Sequence, residues 1–132
     1  MSATSQISKS HASTLSTRSE LLRQRLTKWS KQPTVIRAEG PTNLTSARRL
    51  GYKATKSFVI ARVKLLKGRR VRDRPTIGRK PGRNQKRVSP SQSREVLAMQ
   101  KAAKKFPNLK PLNAYFVGMN GVNAFYEVIL HN

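Results

Sequence analysis

One segment of the chain, residues 67–95, is too poor in apolar side chains to fold by itself. Its aliphatic side chains are Val71, Ile77 and Val88, and it carries eleven lysines and arginines. Burying an aliphatic side chain contributes about 1.5–3 kcal/mol, whereas fixing the backbone of each residue costs about 1–2 kcal/mol. Three such side chains cannot offset the entropy lost over the whole segment. We therefore expect the segment to be disordered alone and to take shape only on a partner.

Positive charge is concentrated in the middle third of the chain. The 132 residues include 28 lysines and arginines but only five acids, which gives a formal net charge of +23. Of these cations, 17 lie within residues 48–94 beside one acid, Asp73. Charge of this density repels itself and favours a polyanionic partner. Arginine outnumbers lysine there, and a slender Gly/Pro-rich backbone of this kind suits the crowded grooves of folded RNA.

The segments that flank the basic tract have the periodicities of a folded α+β domain. Along residues 57–66, alternate apolar side chains form one face, and Arg62 and Lys64 lie on the other. We expect a small antiparallel sheet flanked by helices. The pattern predicts helices over 18–31, 44–50 and 90–105, and strands over 34–38, 57–66, 113–117 and 123–130.

Local signals mark the ends of these elements. Residues 17–20 have capping-box spacing, and residues 89–92 have a hydroxyl, a proline and a glutamine at positions that favour a helix start. We expect Asn43 to cap the short helix and Gly51 to end it in the left-handed conformation. The Asn-Gly pair at 120–121 predicts a hairpin because both residues tolerate positive φ.

The chain divides into two parts. Residues 1–16 are rich in serine and threonine, and we interpret them as a mobile polar tail. Residues 17–132 are predicted to form a single α+β domain, interrupted by a basic RNA-binding extension over residues 67–89. We call residues 67–89 the basic extension.

The sequence contains no recognisable catalytic or metal-binding pattern. Cysteine is absent, which removes disulfides, thiolate catalysis and Cys-based metal sites. His11 and His131 have no partner at useful spacing, so we interpret both as surface residues. We predict no enzymatic activity and no cofactor, apart from Mg²⁺ held by bound RNA. The acids are scattered, and we interpret each as an ion-pair partner: Glu20, Glu39, Asp73, Glu95 and Glu127.

The predicted RNA-binding site consists of cations and one aromatic side chain. Tyr52 follows a pair of arginines and could stack on a base. Trp29 has helical spacing with Leu22 and Leu26, which favours core packing over base stacking. The candidate RNA-binding residues are Arg48, Arg49, Tyr52, Lys53, Lys56, Arg62, Lys64, Lys67, Arg69, Arg70, Arg72, Arg74, Arg79, Lys80, Arg83, Lys86 and Arg87.

Four blocks of sequence carry a family resemblance. They are Ala-Arg-Arg-Leu-Gly-Tyr-Lys-Ala at 47–54, Lys-Lys-Phe-Pro-Asn-Leu at 104–109, Leu-Asn-Ala-Tyr-Phe-Val-Gly at 112–118 and Tyr-Glu-Val-Ile-Leu at 126–130. Together they resemble the archaeal and eukaryotic type of large-subunit ribosomal protein fifteen. The Ser/Thr-rich N-terminus and Phe116, where the family usually has tryptophan, depart from its pattern.

The resemblance implies a non-catalytic structural protein of the cytoplasmic large ribosomal subunit. Its implied partners are large-subunit ribosomal RNA and neighbouring ribosomal proteins, with no membrane contact and no homo-oligomer. By motif match, Arg48, Arg49, Tyr52 and Lys53 are implied to face RNA, and residues 67–87 carry over only as a region. From the residues alone, a DNA-compacting protein is the main alternative, followed by a membrane-active peptide and an enzyme acting on nucleic acid.

Overall fold

The computed structural model describes residues 2–16 and 19–132. Four of the strands in this part of the chain form an antiparallel sheet in the order β1-β2-β6-β5, and β3 pairs with β4 in a separate ribbon. This architecture confirms the predicted α+β class. The elements are α1 (Ala3–Ser16), α2 (Glu20–Lys31), β1 (Val35–Ala38), α3 (Leu44–Arg49), β2 (Phe58–Leu66), β3 (Arg70–Val71), β4 (Arg87–Val88), α4 (Arg94–Lys105), β5 (Lys110–Met119) and β6 (Asn123–His131).

The C-terminal strand β6 lies in the middle of the sheet, between β2 and β5. Every residue from 124 to 130 is buried. Successive side chains of a strand point to opposite faces, so an almost uninterrupted apolar run fits a strand that is covered on both faces. Glu127 is the charged exception in this run, and it is fully buried.

The sheet separates two hydrophobic cores. On one face, Ala98 and Ala102 of α4 pack against β2 and β6. On the other face, Trp29 of α2 and Ala47 of α3 pack in a core that includes Phe125 of β6. The rings of Trp29 and Phe125 meet edge-on with centroids 5.6 Å apart. The interpretation of Trp29 as a core residue is therefore confirmed.

Two serines cap the main helices at positions that differ from those predicted. The Ser19 hydroxyl accepts the N–H of Leu22 at the start of α2, and Thr17 of the predicted capping box lies outside the described residues. The Ser93 hydroxyl accepts the N–H of Val96. The predicted start of the second main helix at residue 90 is therefore wrong. The segment before Ser93 has no apolar side chain to bury, so the cap lies beside the first apolar turn.

The short helix and the terminal hairpin occur where the sequence predicts them. The Asn43 Oδ1 atom accepts the N–H of Ser46 at 3.2 Å, and Gly51 after α3 has φ of 97°. In the β5–β6 hairpin, the Asn120 Oδ1 atom accepts the N–H groups of Val122 and Asn123. The Asn120 side chain thus stabilises the turn of this hairpin. Gly121 does not adopt a positive φ.

Helix α1 is an element that the sequence pattern did not predict. Its 14 residues are rich in serine and threonine and show no strong apolar stripe. The Ser2 hydroxyl accepts the N–H of Ser5 at 3.3 Å and so caps the start of the helix. The mobility expected of residues 1–16 stays a prediction. Within the described residues, no helix is both long enough and apolar enough to cross a membrane.

Candidate nucleic-acid interface

Helix α3 presents a pair of arginines at its C-terminal end. Arg48 and Arg49 lie in its last turn, and both are exposed. Ala47 is fully buried in the core beneath α2 and α3, and Leu50 and Tyr52 pack against that core. These apolar contacts fix which side of α3 faces inward, so the two guanidinium groups remain available to an anionic partner.

Tyr52 is half-buried. Its ring stands edge-on to Phe58 with centroids 6.2 Å apart, and its N–H donates to the Ala47 carbonyl at 2.9 Å. The residue thus holds the loop after α3 against β2. Lys53 and Lys56, which follow in the chain, are exposed.

The basic extension begins and ends at the ribbon formed by β3 and β4. Arg70 pairs with Val88, and the N–H of Arg72 donates to the Lys86 carbonyl at 3.0 Å. Two of its three aliphatic side chains are exposed, Val71 to 61% and Ile77 to 90%. The extension therefore gains little hydrophobic stabilisation from the rest of the chain, and its disorder in the absence of a partner stays a prediction. Its cations are all exposed: Lys67, Arg69, Arg70, Arg72, Arg74, Arg79, Lys80, Arg83, Lys86 and Arg87.

Arg62, a member of the predicted interface, packs within the folded domain. Its guanidinium carbon lies 4.1 Å from the centre of the Trp29 ring, a cation–π contact. Its Nη2 atom is 3.4 Å from the Glu127 Oε1 atom, and only 15% of the Arg62 side chain is exposed. Arg62 thus has a structural role beneath α2, and contact with RNA stays a prediction for this residue.

Two further lysines of the predicted interface also bond within the protein. The Lys64 ammonium donates to the Ser30 and Gln32 carbonyls, each at 2.8 Å. These carbonyls lie at the C-terminal end of α2, where a cation is favoured by the helix dipole. The Lys67 ammonium donates to the Asn120 carbonyl at 3.1 Å and remains exposed. This bond ties the start of the basic extension to the β5–β6 hairpin.

Glu127 is the centre of a buried hydrogen-bond network. Its carboxylate accepts the Tyr115 hydroxyl at 2.6 Å, the Thr42 N–H at 2.8 Å and the Thr42 hydroxyl at 2.5 Å. Arg62, Glu127 and Tyr115 lie opposite one another on β2, β6 and β5. Burial, together with the Glu127 carboxylate, raises the pKa of Tyr115 far above its usual value. The interpretation of Glu127 as an ion-pair partner is confirmed by its contact with Arg62.

The remaining acids have no comparable environment. Glu20 lies 3.8 Å from Arg23 on the exposed face of α2, as expected of an ion-pair partner. Across residues 2–16 and 19–132, no group of three or more histidines and acids is arranged to hold a metal ion.

His11 is not the surface residue that the sequence suggested. The Asn43 Nδ2 group donates to its Nδ1 atom at 3.3 Å. The Asn43 oxygen accepts from Ser46 and Thr45, so the amide nitrogen must face His11, whose Nδ1 atom must be unprotonated. Burial lowers the pKa of His11, Glu127 acts in the opposite direction, and Arg25 lowers it further. The contact joins α1 to the cap of α3.

This geometry predicts a pH-dependent attachment of α1. Because the folded-state pKa of His11 lies below its ordinary 6.5, the unfolded chain takes up the proton first as pH falls. The stability that His11 contributes is therefore present above that value and is lost as pH falls toward the folded-state pKa. His11→Gln keeps an acceptor but cannot titrate. Urea unfolding at about pH 5 and about pH 8 should show a larger loss at low pH for the wild type than for His11→Gln. Equal losses in the two proteins would contradict this assignment.

The structure also exposes cations that the sequence-based set omitted. They lie at exposed positions of α2 and α4, and their place in two predicted helices is the signal that could have found them. These residues are Arg23, Arg25, Lys28, Lys31, Lys101, Lys104 and Lys105.

Comparison with known proteins places this arrangement in context. A family model described as Ribosomal L15 matches residues 2–132. The large ribosomal subunit protein eL15 of Metallosphaera sedula is 47% identical over 111 residues, which are 83% of this chain and 51% of that protein. The chain thus spans about half the length of this curated relative.

Proposed function

Because this chain belongs to the ribosomal L15 family of the archaeal and eukaryotic type, we propose that it is a structural constituent of the large ribosomal subunit. It binds large-subunit ribosomal RNA beside neighbouring ribosomal proteins in the cytoplasm. It supports translation by holding RNA in its folded form and catalyses no reaction.

The observation that carries this proposal is the exposure of the basic side chains on α3, the following loop and the basic extension. Packed RNA helices repel one another through their phosphates, and a slender cationic segment between them relieves that repulsion. Arginine suits this task because its planar guanidinium reaches two phosphate oxygens at once.

The folded domain has a separate part in this mechanism. Its two cores hold α3 and the elements on either side of the basic extension, β2 and α4, in place. The bond from Lys67 to Asn120 fixes where the extension leaves the sheet. Cations at a defined origin lose less freedom on binding than cations on an unanchored peptide. The folded domain therefore fixes where the cationic side chains lie along the bound RNA.

The double variant Arg48→Ala/Arg49→Ala tests the assignment. We expect it to weaken binding to a large-subunit ribosomal RNA transcript and to lower incorporation into subunits. If each arginine neutralises one phosphate, the slope of log affinity against log salt should shrink by about 1.4–1.8. Anisotropy titrations at several salt concentrations and sucrose-gradient sedimentation of subunits measure these effects.

Lys104→Ala/Lys105→Ala is a matched control, because it removes two exposed cations from α4 on the other face of the sheet. Its incorporation should exceed that of the arginine variant. Unchanged RNA affinity and incorporation in Arg48→Ala/Arg49→Ala would remove the assigned role. Tighter binding to duplex DNA of equal length than to the RNA would favour the DNA-compacting alternative.

A further inference from the structure

We propose that Glu127 is a positioning residue for RNA binding and that it orients the Arg48–Arg49 pair through Thr42. The inference rests on the proposed function and extends it to a buried side chain. Glu127 is fully buried, so it acts on RNA only through the residues that it holds.

Helix α3 needs external support at both ends. It has six residues, whereas isolated helices shorter than about 12–15 residues are marginal in water. Ala47 and Leu50 attach its C-terminal half to the core beneath α2 and α3. Its N-terminal end has the Asn43 cap, which is a local contact and does not tie the helix to the sheet.

Thr42 supplies the missing attachment. Its N–H donates to Oε2 of Glu127 at 2.8 Å, and its hydroxyl donates to Oε1 at 2.5 Å. Two bonds to two different oxygens fix both the position and the direction of the backbone at Thr42. The next residue, Asn43, is the N-cap of α3. The chain therefore enters α3 along a direction set by β6.

The carboxylate is itself held by two other strands. The Tyr115 hydroxyl on β5 donates to Oε2 of Glu127, and Arg62 on β2 lies against Oε1. Arg62 is in turn pinned over the Trp29 ring. Glu127 thus transmits the rigidity of three strands to Thr42, and hydrogen bonds to an ionised acceptor are stronger than neutral ones.

Thr42→Val tests this inference with little risk to the fold. It removes the hydroxyl and keeps the N–H and the side-chain shape. Thr27→Val is the matched control, because the Thr27 hydroxyl bonds only the Arg23 carbonyl on exposed α2. RNA affinity is measured for the wild type, Thr42→Val, Arg48→Ala/Arg49→Ala and the triple variant, with the large-subunit ribosomal RNA transcript as probe.

We expect Thr42→Val to weaken RNA binding by about two- to tenfold in the wild-type background, the range for losing one hydrogen bond. The loss should largely disappear in the Arg48→Ala/Arg49→Ala background, because the residues being positioned are gone. Amide hydrogen exchange over residues 44–49 should accelerate in Thr42→Val and not in Thr27→Val. A general loss of stability would not produce this non-additivity.

The outcomes separate this inference from the proposed function. Equal losses from Thr42→Val in both backgrounds, or no loss in the wild type, would overturn the positioning role while RNA binding by the arginines stands. If Arg48→Ala/Arg49→Ala itself leaves RNA affinity unchanged, the arginine pair is not part of the interface. The positioning role then fails, whereas RNA binding by the basic extension is tested separately. Glu127→Gln is a second variant that tests the same role. Its amide nitrogen cannot accept one of the two Thr42 bonds, so its loss of RNA affinity should likewise largely disappear in the Arg48→Ala/Arg49→Ala background.

Discussion

Replacing the nine lysines and arginines from Arg69 to Arg87, both included, by glutamine is expected to abolish most of the affinity for ribosomal RNA at physiological salt. Each phosphate neutralised contributes about 0.7–0.9 to the slope of log affinity against log salt, so the slope should shrink by about 6–8 if each cation meets one phosphate. Lys67 stays unchanged because it bonds the Asn120 carbonyl. Anisotropy titrations of the RNA transcript at several salt concentrations measure both quantities.

A second variant separates charge from guanidinium geometry. Changing only the arginines of the same segment to lysine keeps the charge and removes the planar fork. This variant should retain the wild-type salt slope and bind more weakly at each salt concentration.

An unchanged slope in the glutamine variant would show that these cations do not neutralise RNA phosphates, whatever their exposure in the free protein.

The sequence predicts the elements of this fold better than their contacts. Alternation along residues 57–66 predicts that Arg62 and Lys64 share one face of β2, and they do, but both side chains on that face bond within the protein beneath α2. The partners of Arg62 are Trp29 and Glu127, which are distant in sequence. Strand register brings them together, and register depends on long-range pairing that no local pattern specifies.

Helix ends show a different limit. Ser89, Ser91 and Ser93 each offer a hydroxyl of the kind that caps a helix. The cap is Ser93, which immediately precedes the turn that contains the first apolar side chains of α4, Val96 and Leu97. Helix α1 has a capping serine at its start but no strong apolar stripe to indicate a helix. Its contact through His11 depends on where α3 lies.

The candidate site divides in the same way. The motif around residues 47–54 indicated exposed arginines on a short helix, and Arg48 and Arg49 are exposed in that position. The conformation of the basic extension on RNA is outside the reach of sequence reasoning, because the chain itself supplies too few apolar contacts to determine it. Glu127 was recognised only as an ion-pair partner, since the contribution of Thr42 arises 85 residues away.

Glu127→Ala is expected to lower the free energy of unfolding by about 3–5 kcal/mol, the cost of breaking a buried ion pair by removing one partner. The substitution leaves the Arg62 guanidinium buried without its counter-charge. It also leaves the Tyr115 hydroxyl and the Thr42 N–H without their acceptor. The total free energy of unfolding of a small domain is about 5–15 kcal/mol, so this loss is a large fraction of it.

Glu20→Ala is the matched control, because Glu20 pairs with Arg23 on an exposed face, where an ion pair contributes about 0–1 kcal/mol. Urea unfolding followed by fluorescence of the single tryptophan, Trp29, compares the two variants at moderate salt, which screens the repulsion of the basic chain. Similar losses for Glu127→Ala and Glu20→Ala would mean that solvent reaches the network when the carboxylate is removed. A much larger loss for Glu127→Ala would identify this carboxylate, set in the middle of an otherwise cationic protein, as the group that holds three strands and the loop before α3 in one arrangement.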